Sequence, residues 1–474
     1  MASDIERKRL VLGVAAVMLS ALGWWFGSGL HPAWWLTWLA PLPVLLLAPR
    51  IRARWAALAA FAAYAIGGLN QWEYLHGYIR LPTSIIVPAI AGPGIALALC
   101  VLLFRHLLAR GRPGAAVLAV PSLWVTIEYV NTQLSPHGTF GSVSYTQMDA
   151  LPILQVAALT GLWGISFLLL LVPAALAVPW STHASRHARA GIFTMTTLLL
   201  VAVIGYGGWR LQAPATSTVR VGLVSLEKPI RPALHDAQGR ALEARYVEAI
   251  DHLADQGARV VLIPETSFAT TDTTIPAFAE LASERHLVLD IGIDDKSDPQ
   301  AERNSVMVFQ PASDMPVTYD KHHLIPGFEN QYTPGNGYRM LDGTPRTGLA
   351  ICKDMDFHDI GRAYAARGAQ LLLVPAWDFS LDGWLHSRMA IMRGVESGFA
   401  VARAARSGRL TLSDDRGRVV AEASSERHDA ELVGELPLRE TRTLYSRLGN
   451  WFAWLDLAAL LMLLVQAVRP RRTG

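Results

Sequence analysis

The stretch "RTGLAICKDMDF", Arg346–Phe357, decides how the chain is read. Its apolar run Gly348–Ile351 stops at Cys352, and Lys353 and Asp354 follow at once. The chain has two cysteines: Cys100 lies inside an apolar run and Cys352 at the end of one, so no disulfide framework is implied. Five other short apolar runs surround this one: "VRVGLVSL" (219–226), "RVVLIP" (259–264), "HLVLDIGI" (286–293), "NSVMVFQ" (304–310) and "QLLLVP" (370–375). Runs of this kind, apolar at successive positions, suit strands covered on both faces. Between them, "GRALEARYVEAIDHLADQ" (239–256) and "IPAFAELASERH" (275–286) carry the apolar spacing of helices. This part of the chain is therefore predicted to be an α/β domain of ordinary size.

Outward from it the texture changes. Of 474 residues, 51% are hydrophobic and 17% charged, more apolar than a typical soluble protein. Apolar runs at Leu10–Phe26, Ala33–Ala48, Trp55–Leu69, Ile85–Leu103, Ala115–Val125, Leu151–Val178, Gly191–Tyr206 and Trp451–Val468 are read as about eight membrane spans, each needing ~20 residues to cross. The run behind Arg7, Lys8 and Arg9 lacks a small-residue cleavage site and is read as an anchor, not a signal peptide. Arginines alternate: Arg50, Arg52 and Arg54, then Arg105, Arg110 and Arg112, then Arg186 and Arg189, then Arg469, Arg471 and Arg472 all fall on one side of such a bundle. The positive-inside rule places that side and both termini in the cytoplasm, and the α/β domain outside it. The expected division is a membrane domain over 1–212, a catalytic domain over 213–446, and a last helix with a basic cytoplasmic tail over 447–474.

Three strand ends carry chemistry. "VVLIPETSF" presents Glu265, "VTYDKHHLIPGFE" presents Lys321, and "GLAICKD" presents Cys352. In α/β sheets ligands gather at the carboxyl ends of strands. A thiolate is a nucleophile whose pKa a nearby cation lowers. A carboxylate can take the thiol proton and return it to a leaving group. An ammonium can hold the oxyanion formed on a carbonyl. The product is a thioester, to be passed to a second nucleophile. Adjacent His322 and His323 point to opposite faces of a strand and carry no zinc-type spacing, so no metal is expected.

Glu, Lys and Cys in this order, each ending such a strand, resemble the nitrilase (carbon–nitrogen hydrolase) superfamily. "YDKHHLIPGFE" is similar to its lysine motif, with Glu329 eight residues on; "RNSVMVFQP" resembles the segment before it, and "ESGFAVARAARSGRLTLSDDRGRVV" the segment after the cysteine. Seven spans, an outward domain of this kind and one final span resemble the apolipoprotein N-acyltransferase family, whose sixth span "LPILQVAALTGLWGISFLLLLVPAAL" is also similar. The resemblance implies a four-layer αββα sandwich on a helical membrane base. It implies transfer of an acyl chain from a phospholipid to the amino-terminal cysteine of a lipoprotein, without metal or organic cofactor and with no nucleic-acid partner. It assigns Cys352 as nucleophile, Glu265 as general base and acid, Lys321 as stabiliser of the tetrahedral intermediate, and Glu329 as a carboxylate beside them. Asn304 is read as a hydrogen-bonding residue of the framework. Lys353 either assists the thiolate or pairs with Asp354.

The chain departs from the family where Lys353 and Asp354 replace its usual tyrosine and glutamate. The first strand lacks its "QxN" motif and following tryptophan, and "AWDF" (376–379) matches its tryptophan loop only in part. A divergent branch acting on another amine and a membrane-anchored amidase are the alternatives. A transporter with an outer binding domain is a more distant one, because the spans hold few charges. The protein is expected to be a bacterial inner-membrane monomer.

Overall fold

The computed structural model describes residues 2–180, 184–311 and 313–469; Arg471 and Arg472 of the expected basic tail lie outside them. The chain forms two units. One comprises Met1–Leu134, Gly141–Leu211 and Asn450–Gly474, and the other comprises Ser135–Phe140 and Gln212–Gly449.

The first unit is helical. Among the described residues, six helices are long and apolar enough to cross a membrane: Leu10–Gly27, Thr83–Ala109, Pro113–Leu134, Leu162–Trp180, Arg186–Leu211 and Trp451–Val468. The remaining expected spans differ. Ala33–Ala48 is two short helices, Trp34–Thr37 and Leu42–Leu47. Pro41 and Pro43 supply no backbone N–H to continue the first, and proline at the start of a helix favours beginning a new one. Trp55–Leu69 corresponds to a helix of 16 residues, Ala53–Gly68, with Leu69 opening the following turn. Leu151–Val178 is interrupted at Gly161, whose φ of +68° ends Ala157–Thr160 before Leu162–Ala177 begins. Ala115–Val125, short in sequence, lies in the 22-residue helix Pro113–Leu134. Arg186–Leu211 leaves Phe193, Met195, Leu198 and Val201 exposed.

The second unit is a four-layer αββα sandwich. Its first sheet takes Ser217–Ser225 (β1), Val260–Leu262 (β2), Phe268–Thr270 (β3), Val288–Asp295 (β4), Arg303–Gln310 (β5) and Ser313–Asp320 (β6). The second takes Met340–Leu341 (β7), Thr347–Leu349 (β8), Leu371–Trp377 (β9), Ala400–Arg406 (β10), Arg409–Ser413 (β11) and Val419–Ser424 (β12). Ala430–Leu438 (β13) then pairs antiparallel with β1, giving orders β13-β1-β2-β4-β5-β6, with β3 beside β4, and β12-β11-β10-β9-β8-β7. The centres are parallel: β1, β2 and β4 in one sheet, and β8, β9 and β10 in the other.

Alternation sorts each strand's side chains. Val221, Leu223, Leu262, Leu349, Leu371 and Leu373 meet in the core between the sheets. Val224, Val261 and Leu289 face outward, under helix Ala237–Asp255 and helix Pro276–Glu284. The first of these buries Leu242, Tyr246, Ala249, Ile250 and Leu253, one stripe at helical spacing. Ala350, Leu372, Val374 and Val401 pack with Ile360, Tyr364 and Ala390 of the helices on the other side. Parallel central strands bring their carboxyl ends to one edge of each sheet, where the three sequence motifs lie.

Candidate active site

Glu265 stands three residues beyond β2. The chain is pressed against β4 there: a Cβ on Gly292 would lie 2.3 Å from the Pro264 carbonyl and 2.6 Å from the Glu265 Cα, so only glycine fits. Lys321 follows β6 directly. Cys352 opens a short turn, Cys352–Asp356, just after β8, and its φ of +45° is a left-handed conformation that non-glycine residues seldom adopt. Such strain persists only where the surroundings over-determine it, and it gathers at functional sites.

These elements bring four of the expected residues into one buried cluster. Lys321 Nζ lies 2.7 Å from Glu265 Oε1 and 2.9 and 3.0 Å from the two oxygens of Glu329. Asn304 Nδ2 donates to the same two carboxylates, at 2.6 Å to Glu265 and 2.7 Å to Glu329. The Ile325 amide donates to Glu329 Oε2 at 2.7 Å. Glu265, Asn304, Lys321 and Glu329 are all buried, and Cys352 is 8% exposed, with Sγ 3.7 Å from the Trp377 carbonyl.

The electrostatics follow. Burial raises the Glu265 pKa; Lys321 opposes this and Glu329 adds to it. Glu329 is buried too, but Lys321 and its hydrogen bonds outweigh that and hold it below the usual carboxylate range. Burial disfavours the Lys321 charge, yet Glu265 and Glu329 together keep it firmly protonated. Burial, reinforced by Glu265, pushes the Cys352 thiol well up, and Lys321 and Arg403 offset this only in part. The resting sulfur is therefore a thiol, and Glu265 is the carboxylate poised to hold a proton.

Asp354 does not pair with Lys353. Its Oδ1 accepts from the His322 and His323 amides at 3.1 and 2.9 Å, and its Oδ2 from the Tyr319 hydroxyl at 2.8 Å and the Ile351 amide at 3.0 Å. It thus ties the lysine loop to the cysteine turn. Lys353 Nζ instead lies 3.3 Å from His137 Nδ1. Burial lowers the Lys353 pKa; Asp356 opposes this, and Lys321 adds to it.

Three contributors were not legible in the sequence. The segment Ser135–Phe140 packs on the cysteine turn, with the Thr139 amide and hydroxyl donating to the Asp356 carbonyl at 3.0 and 2.7 Å. Gly138 has φ +53°, and its Cβ would lie 2.6 Å from that carbonyl oxygen. Arg403 and Asp378 form a buried two-bond ion pair at 2.9 and 2.5 Å and act on the Cys352 thiol from beside it. Trp377 offers a main-chain oxygen, which no sequence pattern marks.

Residues 237–445 match the carbon-nitrogen hydrolase family. With the αββα sandwich, this defines the class: an enzyme of the carbon–nitrogen hydrolase superfamily. Residues 20–175 match the apolipoprotein N-acyltransferase N-terminal domain. The chain is 27% identical to the apolipoprotein N-acyltransferase of Geobacter metallireducens over 519 residues, covering 98% of this chain and 96% of the relative. It is 28% identical to that of Gloeobacter violaceus over 516 residues, with the same two shares. An amidase from Nesterenkonia sp. of known structure overlaps 46% of this chain and 90% of its own, with 21% identity and a TM-score of 0.38. The chain belongs to the apolipoprotein N-acyltransferase family, and with its apolar helices it is a bacterial membrane protein.

Proposed function

We propose that the chain moves a fatty acyl group from a phospholipid to the α-amine of a diacylglyceryl-cysteine lipoprotein, through a thioester on Cys352. The observation that carries this reading is the buried Glu265–Lys321–Glu329 cluster beside the Cys352 thiol. Two carboxylates share one ammonium, and their surroundings push their pKa values apart. Divided pKa values of this kind assign roles. Glu329 stays ionised and holds Lys321, while Glu265 exchanges protons.

The steps balance. Glu265 takes the thiol proton, and the sulfur attacks the ester carbonyl. Lys321 offsets the charge on the tetrahedral oxygen. The C–O bond breaks, Glu265 returns its proton to the departing lysophospholipid, and the acyl group remains on sulfur. The acceptor amine then attacks the thioester, gives a proton to Glu265 and forms the amide. The thiolate leaves and takes the proton back. Burial of the sulfur keeps water from the thioester. Asn304 and Asp354 position the carboxylates and the two loops, and Lys353 adds a cation next in sequence to the nucleophile. Thiol, carboxylate and ammonium supply nucleophile, proton and counter-charge, so the chemistry needs no cofactor.

The setting in the membrane belongs to the same proposal. We read the paired short helices over 34–47 and the helix Ala53–Gly68, added to the six long helices, as completing eight crossings. The alternating arginines then put 213–446 on the periplasmic side of the inner membrane. The protein acts as a monomer.

Intact mass spectrometry of a lipoprotein from cells with and without this protein tests the reading. A gain of one acyl chain on the amino-terminal cysteine is expected. An unchanged mass, with rapid hydrolysis of small amides by the purified protein, would replace acyl transfer by amide hydrolysis.

A further inference from the structure

A second charged group sits at the same strand ends and takes no part in the steps above. The turn after β1 carries Lys228 and Arg231. Arg406, the last residue of β10, pairs in register with Trp377, the last residue of β9. The Arg406 guanidinium carbon lies 4.5 Å from the centroid of the Trp377 ring; that of Arg231 lies 5.8 Å from the same ring and 5.2 Å from the Tyr332 ring. Arg406 Nη2 donates to the Lys228 carbonyl at 2.7 Å, and Lys228 Nζ to the carbonyl of Thr266, the neighbour of Glu265, at 3.1 Å. The main-chain oxygen of Trp377 is the one that faces Cys352 Sγ. Two guanidinium groups thus flank the Trp377 indole beside the nucleophile, and Lys228, bonded through its carbonyl to one of them, is a third cation close to both.

Their charge is not answered. Lys228 and Arg406 are each 8% exposed, and among the described residues no carboxylate lies within ion-pair distance of Lys228, Arg231 or Arg406. The anions that face them do so at longer range. Glu227 is exposed, and Asp294, across from Arg231, has Lys296 at 3.7 Å. Arg406 Nε and Nη1 and Arg231 Nε are buried and find no acceptor among the described residues. Burial, then Arg406 and Arg231, drag the Lys228 pKa well down. Buried donors without acceptors and like charges without a counter-ion are costly, and a native protein that keeps them has a reason to. An anion with several oxygens would answer all three side chains, and guanidinium groups suit phosphate by geometry as well as charge.

We infer that Lys228, Arg231 and Arg406 form the subsite for the phosphate of the acyl donor. The assignment rests on the acyl-transfer reading of Cys352. A glycerophospholipid carries its ester and its phosphate on one glycerol backbone; with the ester carbonyl at the sulfur, these cations, grouped by the residue whose carbonyl faces that sulfur, stand ready for the phosphate. The acceptor brings an amine and a diacylglyceryl group, neither of which is anionic. The same cations therefore separate donor from acceptor in a site that must take both in turn.

The test uses the full-length protein in detergent and measures the rate of hydroxylamine-sensitive acylation of Cys352. Two labelled donors with the same chains are compared: phosphatidylglycerol, and diacylglycerol, which lacks the phosphate. The wild-type protein is expected to favour the phospholipid. That preference is expected to fall about tenfold in Arg231→Gln, the loss of one charge-assisted contact, and further in Arg231→Gln with Lys228→Met. Arg231 is only part-buried and lies on a turn, so its replacement spares the fold, and diacylglycerol acylation by each variant reports whether the site is intact. Equal wild-type rates with the two donors would overturn the inference, as would variants that keep the full preference. So would an equal rate combined with inhibition of both donors by inorganic phosphate, which marks a site for free phosphate. If neither donor labels Cys352 of the wild-type protein, the acyl-transfer reading itself fails, a different result from any of these.

Discussion

Glu265 and Glu329 reach for the same ammonium, and the difference between them has a sign that can be measured. In the proposed mechanism Glu265 must be ionised to take the thiol proton, and its folded pKa is raised by burial and by Glu329. The acidic limb of the Cys352 acylation rate should therefore lie above the usual carboxylate range. Glu329→Gln removes the repelling charge and leaves Lys321 to Glu265 alone. Both changes lower the Glu265 pKa, so the limb is expected to move to lower pH as the maximal rate falls. A limb that stays or moves up would contradict the division of roles. Asp354 offers a second test. Its two oxygens accept four hydrogen bonds in a site with no exposure. Asp354→Asn turns an acceptor into a donor facing donors, and should cost about 1–3 kcal/mol of stability by thermal or denaturant unfolding. Unchanged stability would show that the lysine loop and the cysteine turn are held by something else.

At the scale of elements, the site depends on two close approaches that glycine permits. An added Cβ at Gly292 would meet the Pro264 carbonyl carbon and oxygen and the Glu265 Cα. Gly292→Ala should destabilise the domain by about 2–4 kcal/mol and reduce acylation of Cys352 in whatever protein still folds. Gly138→Ala tests the segment Ser135–Phe140. With φ +53° and the Asp356 carbonyl 2.6 Å from its Cβ position, the substitution should loosen the cysteine turn. The expected result is slower Cys352 acylation with little change in unfolding temperature, and an unaltered rate would mean the turn holds itself. The strands and the amphipathic helices of the sandwich were legible because their periodicity is local. Leu242, Tyr246, Ile250 and Leu253 mark one helix face, and the runs before Glu265 and Cys352 mark buried strands. The breaks in the helical unit were less so. Pro41 and Pro43 sit in a continuous apolar run, and hydropathy alone does not register the N–H groups they lack.

At the scale of the whole chain, the strand ends carrying Glu265, Lys321 and Cys352, and the following Glu329, stood out in the sequence by motif context, whereas the residues packed around them did not. Lys353 meets His137 across 216 positions of sequence, and Lys228 meets Arg406 across 178. Neither pair has a spacing to detect, because topology alone brings them together. The helical unit carries its own expectation. If the eight crossings hold, single cysteines placed in the 213–446 region of a Cys100→Ala, Cys352→Ala protein should react with an impermeant thiol reagent in intact spheroplasts, and cysteines near Arg50 or Arg110 should not. Everything else depends on the sulfur. Purified protein incubated with phosphatidylglycerol and measured by intact mass should gain one acyl chain on the peptide that contains Cys352. The adduct should be released by hydroxylamine, lost on addition of a diacylglyceryl-cysteine peptide that gains the same mass, and absent from Cys352→Ala. An adduct that forms equally on Cys352→Ala, or that never passes to the peptide amine, would contradict it.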